Sequence, residues 1–212
     1  CDNQTPNLIT HVETTVATTH DAEVIEPIQQ ALADKGLTPE THFVDTAYVS
    51  GKTLTTCRTH YKSDLFGPAL LDTSWQARNR DAYDQSLFSI DWQQQVVTCP
   101  QGQLSQRWQR TRRKNGDPAI IVRFPKSACS ACSQRNLCTR SATAPRQLTL
   151  SPQPLFEAVS QRRLYQQTSD FKHRYNARAG VEGSISQAVF SLGMRRSRFR
   201  GLAKSHFQHL AT

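Results

Sequence analysis

Hydrophobic and polar residues follow two spacings along the chain, which predicts both strands and helices. Near the start, residues 8–14, the stretch THFVD that ends at Asp45, and the stretch SDLF predict three short strands. Residues 21–36 carry an apolar stripe and predict a helix. Asp21 would cap its start, and Gly36 would end it. Pro27 delays the start of that helix, and residues 53–61 predict a second one.

The order strand, helix, strand, helix, strand predicts parallel strands joined by right-handed crossovers. In such sheets, functional side chains gather at the carboxyl ends of the strands, and Asp45 lies at such an end. The residues leave two interpretations of Asp45 open. It is either a functional carboxylate or a short polar residue that caps the next turn.

The pattern changes at about residue 71 to short alternating stretches such as FSIDW and QVVTC, which predict a small β-rich insertion. Asn115-Gly116 within it is a strong hairpin signal. From residue 152 onward the pattern is helical, with helices predicted at FEAVSQRRLYQQ, at about 170–192 and at 195–210. The chain therefore divides into residues 1–70, 71–151 and 152–212.

Charge is distributed unevenly between the two parts of the chain. Residues 1–98 carry 6 basic and 13 acidic side chains, a net of −7, whereas residues 99–212 carry 20 and 4, a net of +16. This asymmetry predicts a polyanion bound by the second part, and the excess of Arg over Lys there favours nucleic acid. A solvated basic surface without a partner is the alternative. The densest basic cluster lies on the last predicted helix and comprises Arg195, Arg196, Arg198, Arg200 and Lys204, which suits contact with DNA phosphates.

Four cysteines in the insertion predict a metal site. Cys129 and Cys132 form a C-x2-C pair, Cys138 follows after five residues, and Cys99 lies upstream of the hairpin. Four thiolates from two arms meet the tetrahedral requirement of structural Zn2+. An iron–sulfur cluster or ordinary thiols are the alternatives that the spacing leaves open.

A single acidic residue interrupts the basic stretch RYNARAGVEGSISQ. Tyr175, Arg178 and Glu182 are spaced i, i+3 and i+7, so they share one face of a helix. Glu182 is either the partner of Arg178 in a surface ion pair or a metal ligand whose partners lie far away in sequence.

Four ordered blocks together resemble bacterial insertion-sequence transposases of the DDE type. These blocks are THFVDTAYVSG, GPALLDTSWQAR, CPQGQ with CSACSQRNLCTRS, and RYNARAGVEGSISQ with GMRRSRFRGLAKSHFQHL. The resemblance covers nearly the whole chain. It implies an α/β fold with a partial RNase H-like core in residues 1–70, interrupted by the cysteine-rich β insertion and completed by the C-terminal helices.

The resemblance also implies that two Asp and one Glu hold two divalent ions, Mg2+ or Mn2+. Asp45 matches the second catalytic Asp, and Glu182 matches the catalytic Glu. Tyr175, Arg178 and Glu182 fit a Tyr-x2-Arg-x3-Glu-x6-Lys signature, whose lysine position is occupied here by Val189. By the resemblance, Arg178 would contact DNA phosphate and Tyr175 would support the DNA end. No residue matches the first Asp, which should lie upstream of the first predicted strand.

The implied function is metal-dependent cleavage and strand transfer of DNA during transposition of an insertion sequence. Its partners would be the DNA element ends and the target DNA, in the bacterial cytoplasm at the nucleoid, with a homodimer as one arrangement of the DNA complex. Because the only methionine is Met194, we expect the C-terminal part of a longer transposase. Because no residue matches the first catalytic Asp, we expect this part to be inactive alone. A zinc-ribbon nucleic-acid-binding module without catalysis and an RNase H-like nuclease are alternative functions. No apolar run reaches the ~18 residues of a membrane span, and no signal peptide is visible.

Overall fold

Short strands and helices occupy residues 9–211, the part of the chain that this computed structural model describes. The helices are α1 (Ile25–Asp34), α2 (Gly51–His60), α3 (Trp75–Arg78), α4 (Lys126–Ser130), α5 (Arg135–Cys138), α6 (Gln153–Tyr165), α7 (Ser169–Tyr175), α8 (Ala179–Leu192) and α9 (Leu202–Ala211). The strands are β1 (Thr41–Phe43), β2 (Asp64–Phe66), β3 (Ser89–Asp91), β4 (Val96–Thr98), β5 (Arg107–Arg112), β6 (Pro118–Arg123) and β7 (Gln147–Leu150). The mixture of helices and strands is consistent with the predicted α/β class.

The chain divides into two units. The first unit runs to Leu70 and resumes at Glu157, and the second unit is the segment Leu71–Phe156. No helix within residues 9–211 is long and apolar enough to span a bilayer.

Two parallel strands and the helix that connects them lie in the first unit. β1 pairs with β2 in parallel register, from Thr41 opposite Asp64 to Phe43 opposite Phe66. The Val44 N–H continues the ladder with a 2.9 Å bond to the Phe66 carbonyl. α2 makes the crossover, and a capping box of Ser50 and Thr53 fixes its start. Of the three predicted parallel strands, the second and third are confirmed as this pair.

The strand predicted at residues 8–14 is wrong over residues 9–14, and Leu8 lies outside the described residues. The polar groups of this segment bind side chains instead of a neighbouring strand. The Thr10 carbonyl accepts a 2.9 Å bond from Lys35, and the Thr14 hydroxyl bonds at 3.0 Å to both His206 and His209. β-branched composition predicts extended backbone, but a sheet also requires a partner strand.

α1 begins at Ile25, later than the apolar stripe alone would place it. A 3-10 turn at Asp21–Val24, whose cap is His20, comes before the helix, as the position of Pro27 predicts. The helix ends at Asp34, and the predicted stop signal Gly36 follows Lys35 with a φ of +68°, a conformation that favours glycine.

A buried ring on β2 organises the aromatic side chains of the first unit. The Phe66 side chain is fully buried, and its ring stacks on that of Phe171 with centroids 4.8 Å apart. Tyr175 stacks on the other end of this row, 5.6 Å from Phe171. Arg162 covers the Phe66 ring at 5.1 Å and donates a 3.0 Å bond to Asp64. Aromatic pairs of this kind contribute about 0.5–1.5 kcal/mol beyond the area they bury, so the row fastens α7 to β2.

Side-chain hydrogen bonds connect the two segments of the first unit between which the second unit is inserted. The Gln166 amide accepts a 2.7 Å bond from the Ala69 N–H and donates a 3.2 Å bond to the Ala69 carbonyl. Arg163 donates a 2.8 Å bond to the Leu70 carbonyl. These bonds replace the backbone pairing that Ala69 and Leu70 lack at the end of the strand.

The second unit is built from antiparallel strands, as the alternating pattern predicts. β3 pairs with β4, and β5, β6 and β7 form a three-stranded sheet. The hairpin predicted at Asn115-Gly116 is confirmed, and Gly116 has a φ of +87°. Its hydrophobic core consists of Phe88, Val97, Ile120, Val122, Phe124, Leu148 and Leu150.

We predict that Gly67→Ala destabilises the first unit. A Cβ at this position would collide with the Val44 carbonyl oxygen and lie 3.0 Å from the Val44 side chain. Overpacking of this kind costs about 1–3 kcal/mol in the free energy of unfolding, which urea denaturation measures. Gly183→Ala is the matched control, because its Cβ meets no atom within 4 Å, and it should stabilise α8 by about 0.5–1 kcal/mol. Equal stability of the two variants would contradict the close approach at Gly67.

Candidate active site

Asp45 lies two residues after the end of β1, at the carboxyl end of a parallel strand. It occupies the cap position of the 3-10 turn Thr46–Tyr48, but its side chain makes no capping hydrogen bond. Its carboxylate is 55 % exposed and instead contacts Arg178. The interpretation of Asp45 as a cap for the next turn therefore does not account for its side chain.

The predicted helix over about 170–192 is present as three consecutive pieces. α7 ends at Tyr175, a 3-10 turn spans Asn176–Arg178, and α8 follows. Tyr175, Arg178 and the first residue of α8 keep right-handed helical dihedrals, so the chain continues without a break. Arg178 reaches Glu182 within this continuous stretch, as their spacing predicts.

One guanidinium joins two carboxylates that are far apart in sequence. Arg178 Nη2 lies 2.8 Å from Asp45 Oδ2, and Arg178 Nη1 lies 3.1 Å from Glu182 Oε1. The ion pair with Glu182 that the spacing predicts is present, and Asp45 is an additional partner. Two carboxylates bound to one cation repel each other once that cation leaves, so this position has an affinity for positive charge.

Tyr175 fixes the helix against the strand end. Its hydroxyl donates a 3.1 Å hydrogen bond to the Val44 carbonyl, one residue before Asp45. Burial raises the pKa of Tyr175, an effect that the nearby Arg178 partly opposes, so the phenol remains a donor at neutral pH. Arg178 also lies over the Tyr175 ring, 5.8 Å from its centroid. The tyrosine therefore supports both the strand end and the arginine.

The helix predicted at 195–210 is wrong in its first part. α8 ends at Leu192, before Gly193, and α9 starts at Leu202, after Gly201. Both glycines have positive φ, +68° and +97°. The intervening chain is held by the Gln208 amide, which accepts a 2.8 Å bond from the Arg198 N–H and donates a 2.8 Å bond to the Arg196 carbonyl. The five basic side chains predicted on this last helix are all exposed, with Lys204 on α9 and the others on the loop, namely Arg195, Arg196, Arg198 and Arg200.

The four cysteines of the predicted zinc site lie in the second unit and line one cavity, together with Phe124, Arg135 and Arg146. They are Cys99, Cys129, Cys132 and Cys138, and all four are free thiols. Within residues 9–211, no group of three or more His, Cys, Asp or Glu side chains is arranged to hold a metal ion. The same observation applies to Asp45 and Glu182, which no third acidic side chain joins in such a group.

A family model described as a transposase DDE domain matches residues 98–212, more than half of the chain. The chain belongs to this family of DDE transposases. The resemblance that the sequence motifs indicated is thus confirmed. Membership implies DNA as the partner of the transposase, and enzymes of this family typically use a divalent metal such as Mg2+ or Mn2+. No curated protein and no solved structure matches the chain.

The family match covers only part of the candidate site of this transposase. Residues 98–212 include Arg178, Glu182 and the four cysteines, whereas Asp45 precedes the matched range. The association of Asp45 with the other two therefore rests on the contacts described above. Sequence reasoning missed the role of Phe171, although its position four residues before Tyr175 on the same helix was an available signal.

We predict a measurable but small coupling between Asp45 and Arg178. In a double-mutant cycle of Asp45→Asn and Arg178→Gln, the coupling free energy should be about 0.2–1 kcal/mol, because Asp45 is more than half exposed. It should decrease as salt is added, which urea unfolding at two ionic strengths measures. The pair Glu26 and Lys52, an exposed ion pair at 3.0 Å within the same unit, is the comparison. A coupling of zero at low salt would contradict the contact.

Proposed function

We propose that Asp45 and Glu182 are metal-binding carboxylates of a DNA transposase that cleaves and joins DNA. The single observation that carries this proposal is the convergence of both side chains on Arg178, across 137 positions of sequence. A surface ion pair on one helix explains the contact between Glu182 and Arg178. It does not explain why Asp45, at the end of a strand, contacts the same guanidinium.

The chemistry of the donor set fits a hard divalent cation. Carboxylate oxygens are the ligands that Mg2+ and Mn2+ prefer, and both carboxylates are accessible from solvent. A pair of such ions, when bound, activates an attacking oxygen and stabilises the leaving oxygen in phosphoryl transfer. In the state described here Arg178 balances the two negative charges. If a metal ion balanced the two carboxylates in its place, the Arg178 guanidinium would be free to bind a DNA phosphate, for which its planar geometry is suited.

We also infer that β1, α2 and β2 belong to an RNase H-like core. Parallel strands joined by a helical crossover, a carboxylate at the carboxyl end of β1 and a second one on a late helix are the features that support this inference. The second unit then corresponds to the cysteine-rich insertion. Among the described residues two carboxylates converge without a third, so we expect the described part alone to lack a full ligand set.

The exposed basic loop between α8 and α9 supports a role in DNA binding. Arg195, Arg196, Arg198 and Arg200 lie within six residues, and no described acidic side chain forms an ion pair with them. Contacts from such a loop go to the phosphate backbone, so they position DNA without reading its sequence. A homodimer in the DNA complex stays a prediction.

We predict that Asp45→Asn and Glu182→Gln abolish cleavage and strand transfer in the transposase containing this chain. The rate should fall more than about 100-fold, since changing even the residues that support metal ligands costs about 10–100-fold. Glu23→Gln, at an exposed acidic residue in the same unit, is the matched control and should retain activity.

The measurement pairs cleavage and strand-transfer assays on element ends with a binding assay on the same DNA. Both variants should still bind DNA, because neither change removes a positive charge. Cleavage at the wild-type rate by either variant would refute the assignment of that residue. Cleavage by the wild type without strand transfer would instead favour an RNase H-like nuclease.

We further predict that replacing Arg195, Arg196 and Arg198 with Gln weakens DNA binding uniformly across sequences. The slope of log affinity against log salt should become shallower by about 0.9 for each duplex phosphate that the triple variant no longer neutralises. Arg80→Gln, at an exposed arginine in the second unit, is the control for removal of a basic side chain elsewhere. An unchanged salt slope in the triple variant would exclude this loop from the DNA interface.

A further inference from the structure

Three separate elements of the second unit bring four thiols to one cavity. Cys99 follows β4, Cys129 lies on α4 with Cys132 just after it, and Cys138 ends α5. The cavity has a volume of about 30 Å³. This space admits a single ion, whereas pockets for organic ligands are of the order of 300–1,000 Å³. We propose that these four cysteines form a structural zinc site, which is independent of the proposed carboxylate site.

The turn after Cys99 is already shaped around its sulfur. The Gln103 N–H lies 3.4 Å from Cys99 Sγ, and the Cys99 N–H donates a 2.9 Å bond to the Gln103 carbonyl. Gly102, with a φ of +75°, permits the tight turn and donates a 2.8 Å bond to the Cys99 carbonyl. A backbone N–H directed at sulfur stabilises the thiolate, which is the form that binds metal.

Arg135 holds the other arm in place through backbone carbonyls. Its guanidinium donates 2.9 Å bonds to the carbonyls of Cys129, Ser141 and Ala144. Its own N–H bonds at 3.3 Å to the Cys132 carbonyl. One residue therefore fixes the backbone of both members of the C-x2-C pair, as the supporting residues of metal ligands do.

A second arginine carries an unsatisfied donor beside the thiols. Arg146 Nη1 donates a 3.1 Å bond to the Cys138 carbonyl, whereas its Nε is buried and has no hydrogen-bond partner among the described residues. An unpaired buried donor of this kind is costly. Four thiolates around Zn2+ carry a net charge of −2, which would add to the negative charge that Asp72 and Asp84 already place near Arg146.

The four thiols also interact with one another. The pKa of Cys138 is raised to about 11, mainly by burial, and the neighbouring Cys129, Cys99 and Cys132 raise it further, while Arg146 lowers it. Zinc binding has to draw the thiols closer than they stand.

Thiolate ligands select the metal by chemical class. Sulfur donors favour Zn2+ and iron–sulfur clusters, whereas Mg2+ and Mn2+ prefer oxygen. The small cavity favours one ion over a cluster of several irons and sulfides. Cys57 is not part of this set, because it is buried in the hydrophobic core of the first unit with Ile25 and Leu54.

The decisive experiment measures metal in the purified wild-type chain by elemental analysis, under reducing conditions. We expect about one zinc per chain and no stoichiometric iron. After zinc removal, titration with Co2+ should give the intense visible bands of a tetrahedral ion with sulfur ligands. Absence of stoichiometric zinc together with absence of these bands would overturn the proposal. Stoichiometric iron with an iron–sulfur chromophore would overturn it in favour of a cluster.

Variants assign the ligands. Cys129→Ser and Cys138→Ser should lose the zinc, whereas Cys57→Ser, a buried cysteine outside the set, should keep it. Arg146→Gln leaves every ligand in place, so the Co2+ bands should be unchanged while zinc affinity falls about 10–100-fold. Arg110→Gln, at an exposed arginine on β5, is its control and should not change the affinity. Full zinc retention by Cys129→Ser and Cys138→Ser would exclude those two ligands and overturn the four-cysteine site.

Discussion

The contact on which the candidate site depends is the row of rings formed by Phe66, Phe171 and Tyr175. Phe66 belongs to a buried strand, whereas the other two rings belong to a helix more than a hundred residues later. Their stacking sets the position of the helix, and the Tyr175 hydroxyl then locks its end to the Val44 carbonyl. Burial of the rings has no preferred direction, and it brings the helix to the sheet. The hydrogen bond from the Tyr175 hydroxyl is directional, and it fixes where the helix lies along the strand.

Local signals predicted the elements whose boundaries are set by local chemistry. The glycine stop at Gly36 and the Asn115-Gly116 turn are backbone conformations that few other residues adopt, so sequence specifies them. The signals failed where a distant partner decides the outcome. Residues 9–14 have β-branched composition, but none of the described strands pairs with them. The chain after Gly193 is held by the side chain of Gln208.

The site was predictable only in part for the same reason. The spacing of Arg178 and Glu182 predicts their ion pair, because both residues lie on one helix. Nothing in the spacing predicts that Asp45 joins them, since this requires knowing which strand end the helix packs against. The packing of the helix is set by the rings of Phe66, Phe171 and Tyr175, which hydrophobic patterning does not distinguish from other apolar residues. The resemblance to a family supplied the association, and the contacts around Arg178 supply a physical reason for it.

The bonds from Gln166 and Arg163 to Ala69 and Leu70 have a consequence for how the chain tolerates change in length. They close the first unit at the point where the second unit departs and returns, so the carboxylates are positioned by residues on either side of that junction. The closure entropy of the intervening segment grows only logarithmically, and doubling its length costs about 0.6 kcal/mol. Changing the length of that segment should therefore alter the closure entropy of the first unit only slightly.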